Sequence, residues 1–88
     1  MALVYEMQER IDTVSAPEFE EDVLNTIKEH GSVDLDASKL LYISSAGLRV
    51  FIKISREQGD LRIFNVCEEV YEVLEMTGLT DMFNIEKA

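Results

Sequence analysis

Segments with the two-residue periodicity of strands alternate along the chain with segments that have the periodicity of amphipathic helices. The first strand-like segment, residues 2–9, places Leu3, Tyr5 and Met7 on one face. Strands that alternate with helices of about 10 to 15 residues indicate βαβ units and a sheet covered by helices. The pattern therefore predicts an α/β fold, with a mixed, mostly parallel four-stranded sheet and about three to four helices.

The remaining predicted elements continue this alternation. Ser15-Ala16-Pro17-Glu18 has the spacing of a capping box, in which the Ser15 hydroxyl and the Glu18 carboxylate each accept an exposed backbone N–H. A helix is therefore predicted from this point to His30-Gly31. The other elements, in chain order, are a strand at 32–36, a buried loop at 40–43, a helix at 46–58, a strand at 61–66, a helix at 68–76 and a short edge strand at 81–85.

Composition limits the classes of partner. The chain has 88 residues, 47% of them hydrophobic, which is enough for one core, so a single domain over residues 1–88 is expected. A net charge of −10 repels nucleic acid and anionic lipid, and favours a basic or apolar protein partner. There is no export signal and no stretch approaching about 18 apolar residues, so neither secretion nor membrane insertion is expected. The single cysteine, Cys67, is compatible with the cytoplasm.

Two adjacent serines, Ser44 and Ser45, stand where a helix is predicted to begin. A hydroxyl at that point meets unpaired backbone N–H groups and the positive end of the helix dipole. Such a hydroxyl can cap the helix, which contributes about 1 kcal/mol to its stability, or it can accept a phosphate. With two serines, one can cap the helix while the other accepts the phosphate. The small residues Ala46 and Gly47 are expected to keep the second serine accessible. Asp12 is expected at the same sheet edge, where its carboxylate either orients a hydroxyl or caps the first helix.

Enzymatic, metal-binding and cofactor-binding patterns are missing from the sequence. There is no Gly-x-Ser-x-Gly frame, and a serine enzyme would lack its base because the only histidine, His30, falls at the far end of the first helix. No Gly-Lys-Ser/Thr phosphate loop is present. Cys67 and His30 are too far apart for a metal-ligand cluster, so neither a metal nor a cofactor is expected. A reactive thiolate is one interpretation of Cys67, and a small buried apolar residue is the commoner one.

Three segments resemble a known family. Residues 36–48, written Asp-(x)5-Tyr-Ile-Ser-Ser-Ala-Gly-Leu, resemble the signature of the STAS-domain family of bacterial anti-sigma factor antagonists. Residues 74–79, with Phe83 and Ile85 after them, are similar to the last helix and ending of that family. Residues 10–12, Arg-Ile-Asp, resemble its strand-to-helix turn. The likeness covers nearly the whole chain.

The resemblance implies a partner-switching protein without catalytic activity of its own. The phosphorylated serine of the family lies two positions before the motif glycine and corresponds to Ser45, whereas Ser44 stands where many members have aspartate. Asp12 matches a carboxylate that supports phosphorylation and partner contact in the family. The unphosphorylated protein would bind an anti-sigma factor that is also a serine kinase, and so release the sigma factor. The kinase would use ATP and magnesium to phosphorylate Ser45, and a serine phosphatase would reverse the reaction.

The two residues that follow the motif glycine, Leu48 and Arg49, are expected to flank the partner surface. Leu48 would enter an apolar pocket and Arg49 would meet an acidic group. The chain begins close to its first predicted strand, whereas many family members have an additional N-terminal strand, so an exposed edge and a monomer or weak homodimer are expected. The alternative function is a non-phosphorylated STAS scaffold or accessory subunit of a transport or signalling complex, in which Ser45 only caps the helix.

Overall fold

The framework is a parallel sheet whose strands are connected through helices. The computed structural model describes residues 3–88, so residue 2, predicted to open the first strand, lies outside the described residues. The elements in chain order are β1 (Leu3–Glu6), β2 (Arg10–Ile11), α1 (Ala16–His30), β3 (Val33–Asp36), β4 (Tyr42–Ile43), α2 (Ser45–Gln58), β5 (Arg62–Val66), α3 (Glu68–Met76), a 3-10 turn (Leu79–Asp81) and β6 (Asn84–Lys87).

The strand order of the main sheet is β1-β3-β5-β6, and every neighbouring pair in it is parallel. The predicted α/β fold with a four-stranded sheet and three helices is confirmed. Strands β2 and β4 form a separate parallel ladder of two residue pairs, Arg10 with Tyr42 and Ile11 with Ile43. None of the helices formed by residues 3–88 is long and apolar enough to cross a membrane.

Two predicted segments need correction. The segment 40–43 was expected to be a buried loop, but its last two residues form β4, and Leu41 and Tyr42 are exposed. The C-terminal edge strand exists, but it runs from Asn84 to Lys87, because a 3-10 turn occupies residues 79–81. Both differences arise where an element is too short for periodicity to define it.

Buried apolar side chains from both strands and helices form one core, to which α2 contributes one face. On α2, Val50, Phe51 and Ile54 are buried, and α2 packs against α1 through an edge-to-face contact of Phe51 with Phe19, with ring centroids 6.1 Å apart. Aromatic pairs in this geometry add about 0.5–1.5 kcal/mol beyond the area they bury. The contact with Phe19 fixes α2 beside α1. This packing determines the position of Ser45, the first residue of α2.

Candidate functional site

The β2–β4 ladder brings the predicted carboxylate beside the predicted hydroxyls. Because the two strands are parallel, their carboxyl ends lie at the same edge, with Asp12 following Ile11 and Ser44 following Ile43. The backbone N–H of Ser44 donates a 2.8 Å hydrogen bond to the carbonyl oxygen of Ile11. Asp12 and Ser44 are therefore neighbours through this small ladder rather than through the main sheet.

The Asp12 carboxylate organises the turn that leads into α1. Its Oδ1 atom accepts hydrogen bonds from the backbone N–H groups of Ser15, at 2.9 Å, and Val14, at 3.0 Å, and its Oδ2 atom accepts one from Arg10 Nε at 3.1 Å. The bond from Ser15, followed by that from Arg10, holds the pKa of Asp12 below its ordinary value. The carboxylate stays charged and is directed toward its own loop.

The predicted capping box at Ser15 and Glu18 is wrong. Ser15 has helical backbone angles, φ −88° and ψ −16°, and its hydroxyl makes no cap bond to α1. Instead the Ser15 Oγ atom accepts the backbone N–H of Asp12 at 3.0 Å. The nearby carboxylate of Asp12 satisfies the N–H groups of the turn, so the hydroxyl turns back toward β2. Asp12 therefore organises the turn before α1 without accepting an N–H of the helix itself, because Val14 and Ser15 both precede Ala16.

The two serines at the start of α2 occupy different positions. Ser44 has the extended backbone of an N-cap, φ −92° and ψ 172°, and its Oγ atom accepts the backbone N–H of Gly47 at 3.4 Å. Ser45 is the first residue of the helix and is exposed. No acidic residue lies in the first turn of α2, in contrast to the first turns of α1 and α3. The start of α2 is therefore the least negatively charged of the three.

Gly47 lies on the inner face of α2, not on the exposed surface where the sequence placed it. It is buried, and a Cβ atom at this position would lie 2.6 Å from Ile43 Cγ1 and 2.9 Å from Ile11 Cγ2. The glycine lets α2 approach the β2–β4 ladder closely. Ala46 is half-buried against the core.

The residues expected to flank the partner surface differ in exposure. Leu48 is half-buried and packs partly against the core, which leaves only part of its side chain for a partner, whereas Arg49 is exposed. Arg49 borders an open groove of about 350 Å³ between the start of α1 and α2. The groove is lined by Thr13, Ala16, Pro17, Glu20, Ala46, Arg49, Val50 and Lys53.

An exposed apolar surface, missed by the sequence prediction, lies on the same ladder. Leu41 is 66% exposed and Tyr42 is 44% exposed, and the Arg10 guanidinium lies 4.3 Å from the centre of the Tyr42 ring. Val14, in the turn before α1, is 88% exposed. Strand alternation would not have predicted this surface, because Leu41 and Tyr42 are adjacent in the chain and both are exposed, whereas successive residues of a regular strand point to opposite sides.

The other reactive side chains do not converge on the serines. His30 is exposed at the last position of α1, the end opposite Asp12. Cys67 is half-buried at the start of α3 and lies 3.5 Å from the carbonyl oxygen of Leu40, its hydrogen-bond acceptor. Within residues 3–88, no group of three or more histidine, cysteine or carboxylate side chains is arranged to hold a metal ion.

Fold and site together define a class of protein: a small parallel α/β domain with an exposed serine at the first position of α2, and exposed apolar side chains in the segment that leads into it. The family model that describes the STAS domain matches residues 1–88, and the chain belongs to that family.

Similar proteins agree with this assignment. The chain is 28% identical over 81 residues to the anti-sigma-B factor antagonist of Listeria monocytogenes serovar 1/2a, covering 86% of this chain and 71% of the relative. It is 27% identical over 79 residues to the anti-sigma-B factor antagonist of Bacillus subtilis, covering 85% and 72%. The crystal structure of a candidate anti-sigma factor antagonist from Thermotoga maritima shares the fold, with a TM-score of 0.83, 22% identity, and coverage of 97% and 80%.

Proposed function

We propose that the protein is an anti-sigma factor antagonist that acts as one domain in the bacterial cytoplasm. The observation that carries the proposal is the exposed Ser45 on the first turn of α2, a helix that begins two residues after β4 position Ile43, with exposed Tyr42 in that strand and exposed Leu41 just before it. The relatives named anti-sigma-B factor antagonists support this role. The protein works by binding an anti-sigma factor, which then releases its sigma factor, and it catalyses no reaction itself.

The proposed contact surface combines apolar and cationic groups. Leu41 and Tyr42 supply apolar area that a partner can bury, at about 25 cal/mol per Å² before the cost of association. Arg49 adds a cation beside the α1–α2 groove. A partner with an apolar pocket and one acidic group opposite Arg49 fits this surface, while the net charge of −10 favours basic groups on the rest of that partner.

Phosphorylation of Ser45 is the proposed off-switch. The Ser45 Oγ atom attacks the γ-phosphorus of magnesium-bound ATP, ADP leaves, and the serine proton passes to a base of the kinase. A phosphatase hydrolyses the ester to the free hydroxyl and inorganic phosphate. The phosphate adds about −1.5 to −2 charges at pH 7. The head of α2 accommodates this charge because its first turn contains no acid.

The same charge is unfavourable in a partner interface. There it must be desolvated next to apolar side chains and placed opposite acidic groups. A loss of 1.4 kcal/mol weakens binding about tenfold, so the switch requires no refolding of this chain. Ser44 stays the cap of α2 in both states.

The test begins with affinity capture from the native bacterium. The wild-type chain and the Ser45→Ala variant are expected to retain a protein with a serine-kinase domain, and the Ser45→Asp variant is expected to lose it. The recovered kinase, with ATP and Mg²⁺, should then phosphorylate the wild-type chain and Ser44→Ala but not Ser45→Ala. Modification that persists in Ser45→Ala and disappears in Ser44→Ala would overturn the assignment. Capture of transporter subunits by all three baits would support the scaffold alternative instead.

A further inference from the structure

The exposed stripe of α2 is cationic, although the chain as a whole is acidic. Ser45, Arg49 and Lys53 follow one another at four-residue spacing and are all exposed. Apart from Glu57, the charged residues of α2 are basic, whereas the whole chain has 18 acidic residues against 8 basic ones. Residues four apart on a helix are neighbours, with Cβ atoms about 5–6 Å from each other. The cation nearest to Ser45 along this stripe is therefore Arg49.

Arg49 is available for a new ion pair. Lys53, one turn further along, is engaged with the Glu20 carboxylate of α1 at 3.2 Å. Within residues 3–88, Arg49 makes no salt bridge of this kind, and its side chain borders the open α1–α2 groove. Asp12, the carboxylate that follows β2, is already paired with Arg10 at 3.1 Å.

We infer that Arg49 binds the phosphate on Ser45 within the same molecule, so that phosphorylation also withdraws this cation from the partner surface. The inference rests on the proposed function, because it needs Ser45 to be the modified residue. An anion four residues N-terminal to a cation is the favourable order on a helix. The guanidinium group can donate two parallel hydrogen bonds to phosphate oxygens. The switch then acts twice, by adding negative charge and by neutralising Arg49.

The test uses a chain into which phosphoserine is inserted at position 45 during translation, so that no kinase is needed. The second pKa of the phosphate is followed by ³¹P NMR in the otherwise wild-type chain and in Arg49→Gln. The charged groups of the neighbouring elements, Arg10 on β2, Asp12 in the turn after it and Glu20 on α1, stay the same in both. We expect the phosphate to titrate about 0.3 pH units higher in Arg49→Gln, and the difference to shrink at about 1 M salt.

The matched control is Arg56→Gln. It removes the same charge from the same helix, but at about 16 Å along the helix axis from Ser45, beyond the screening length of about 10 Å at 0.1 M salt. Equal titration in all three chains, or an equal shift in both variants, would overturn the inference. Since phosphoserine is inserted directly, either outcome leaves the proposed function standing. Failure of the kinase assay at Ser45 would instead remove the proposed function itself.

Discussion

The backbone N–H of Ser44 donates a 2.8 Å hydrogen bond to the carbonyl oxygen of Ile11. This bond extends the β2–β4 ladder by one step and fixes the residue that caps α2. The turn that Asp12 organises therefore has a fixed position relative to the first turn of α2. The predictions below test separate parts of this junction.

The cap and the exposed serine are expected to differ in their effect on stability. Ser44→Ala removes the acceptor of the Gly47 N–H and should lower the free energy of unfolding by about 0.5–1 kcal/mol, since the 3.4 Å bond is long. Ser45→Ala, at an exposed position, should change it by less than about 0.5 kcal/mol. Urea unfolding of both variants measures the difference. A larger loss in Ser45→Ala would show that the roles are reversed.

Gly47→Ala should destabilise the protein by about 1–3 kcal/mol, because the added methyl group overlaps Ile43 and Ile11. Helix propensity alone predicts the opposite sign, since alanine is favoured over glycine inside a helix by about 1 kcal/mol. Thermal or urea unfolding decides between the two. The double variant Ile43→Ala/Gly47→Ala should show less than the sum of the two single losses, because Ile43→Ala removes the nearest clashing atoms. A stabilised Gly47→Ala variant would contradict the close approach.

The Asp12 charge should make stability depend on pH. Its pKa is lowered in the folded chain, so its contribution is complete above the ordinary aspartate pKa of about 3.9 and is lost as pH falls through the folded-state pKa. Asp12→Asn can keep the hydrogen bonds of the turn but not the charge. The variant should therefore be less stable than the wild-type chain at pH 7, with the difference shrinking below pH 4.

Urea midpoints measured at several pH values test this prediction. Glu72→Gln, which removes one negative charge from the exposed face of α3, gives the background effect of net charge. If the difference in urea midpoint between the wild-type chain and Asp12→Asn became larger at acid pH, the stabilising role of the Asp12 carboxylate would be refuted.

The exposed side chain of Leu41 should contribute to partner binding. Leu41→Ser is expected to weaken the complex with the captured kinase at least tenfold, because the partner loses an apolar contact worth about 1.5–3 kcal/mol if it is fully buried. Met76→Ser is the matched control, since Met76 is 87% exposed at the C-terminal end of α3. Calorimetric titration measures both. Equal losses in the two variants would remove Leu41 from the proposed surface.

Periodicity was sufficient for the long elements and insufficient for the junction. Apolar residues at helical spacing predicted α1 (Phe19, Val23, Leu24 and Ile27) and α2 (Leu48, Phe51, Ile52 and Ser55, broadened by Val50 and Ile54). Of these, Phe19, Val23, Val50, Phe51 and Ile54 are buried, so the predicted face of α2 is rotated toward Val50 and Ile54. Strand β4 has only two residues and exists because β2 pairs with it, which no local pattern encodes.

The details of the site also depended on contacts between distant segments. The capping box failed because the Asp12 carboxylate, three residues before Ser15, accepts the Ser15 N–H that the Glu18 carboxylate would otherwise accept. Gly47 was expected at the surface because the sequence does not show whether a small residue allows close approach of a partner protein or of another segment of the same chain. Its position between Ile11 and Ile43 is set by how α2 packs on the ladder.

The two sides of α2 share no critical residue. Gly47, Val50, Phe51 and Ile54 hold the helix in place, while Ser45, Arg49 and Lys53 face the solvent. The outward positions can therefore be exchanged at little cost in stability. Substitutions there change the charge that α2 presents to solvent while the packing of the helix against the ladder and α1 stays intact.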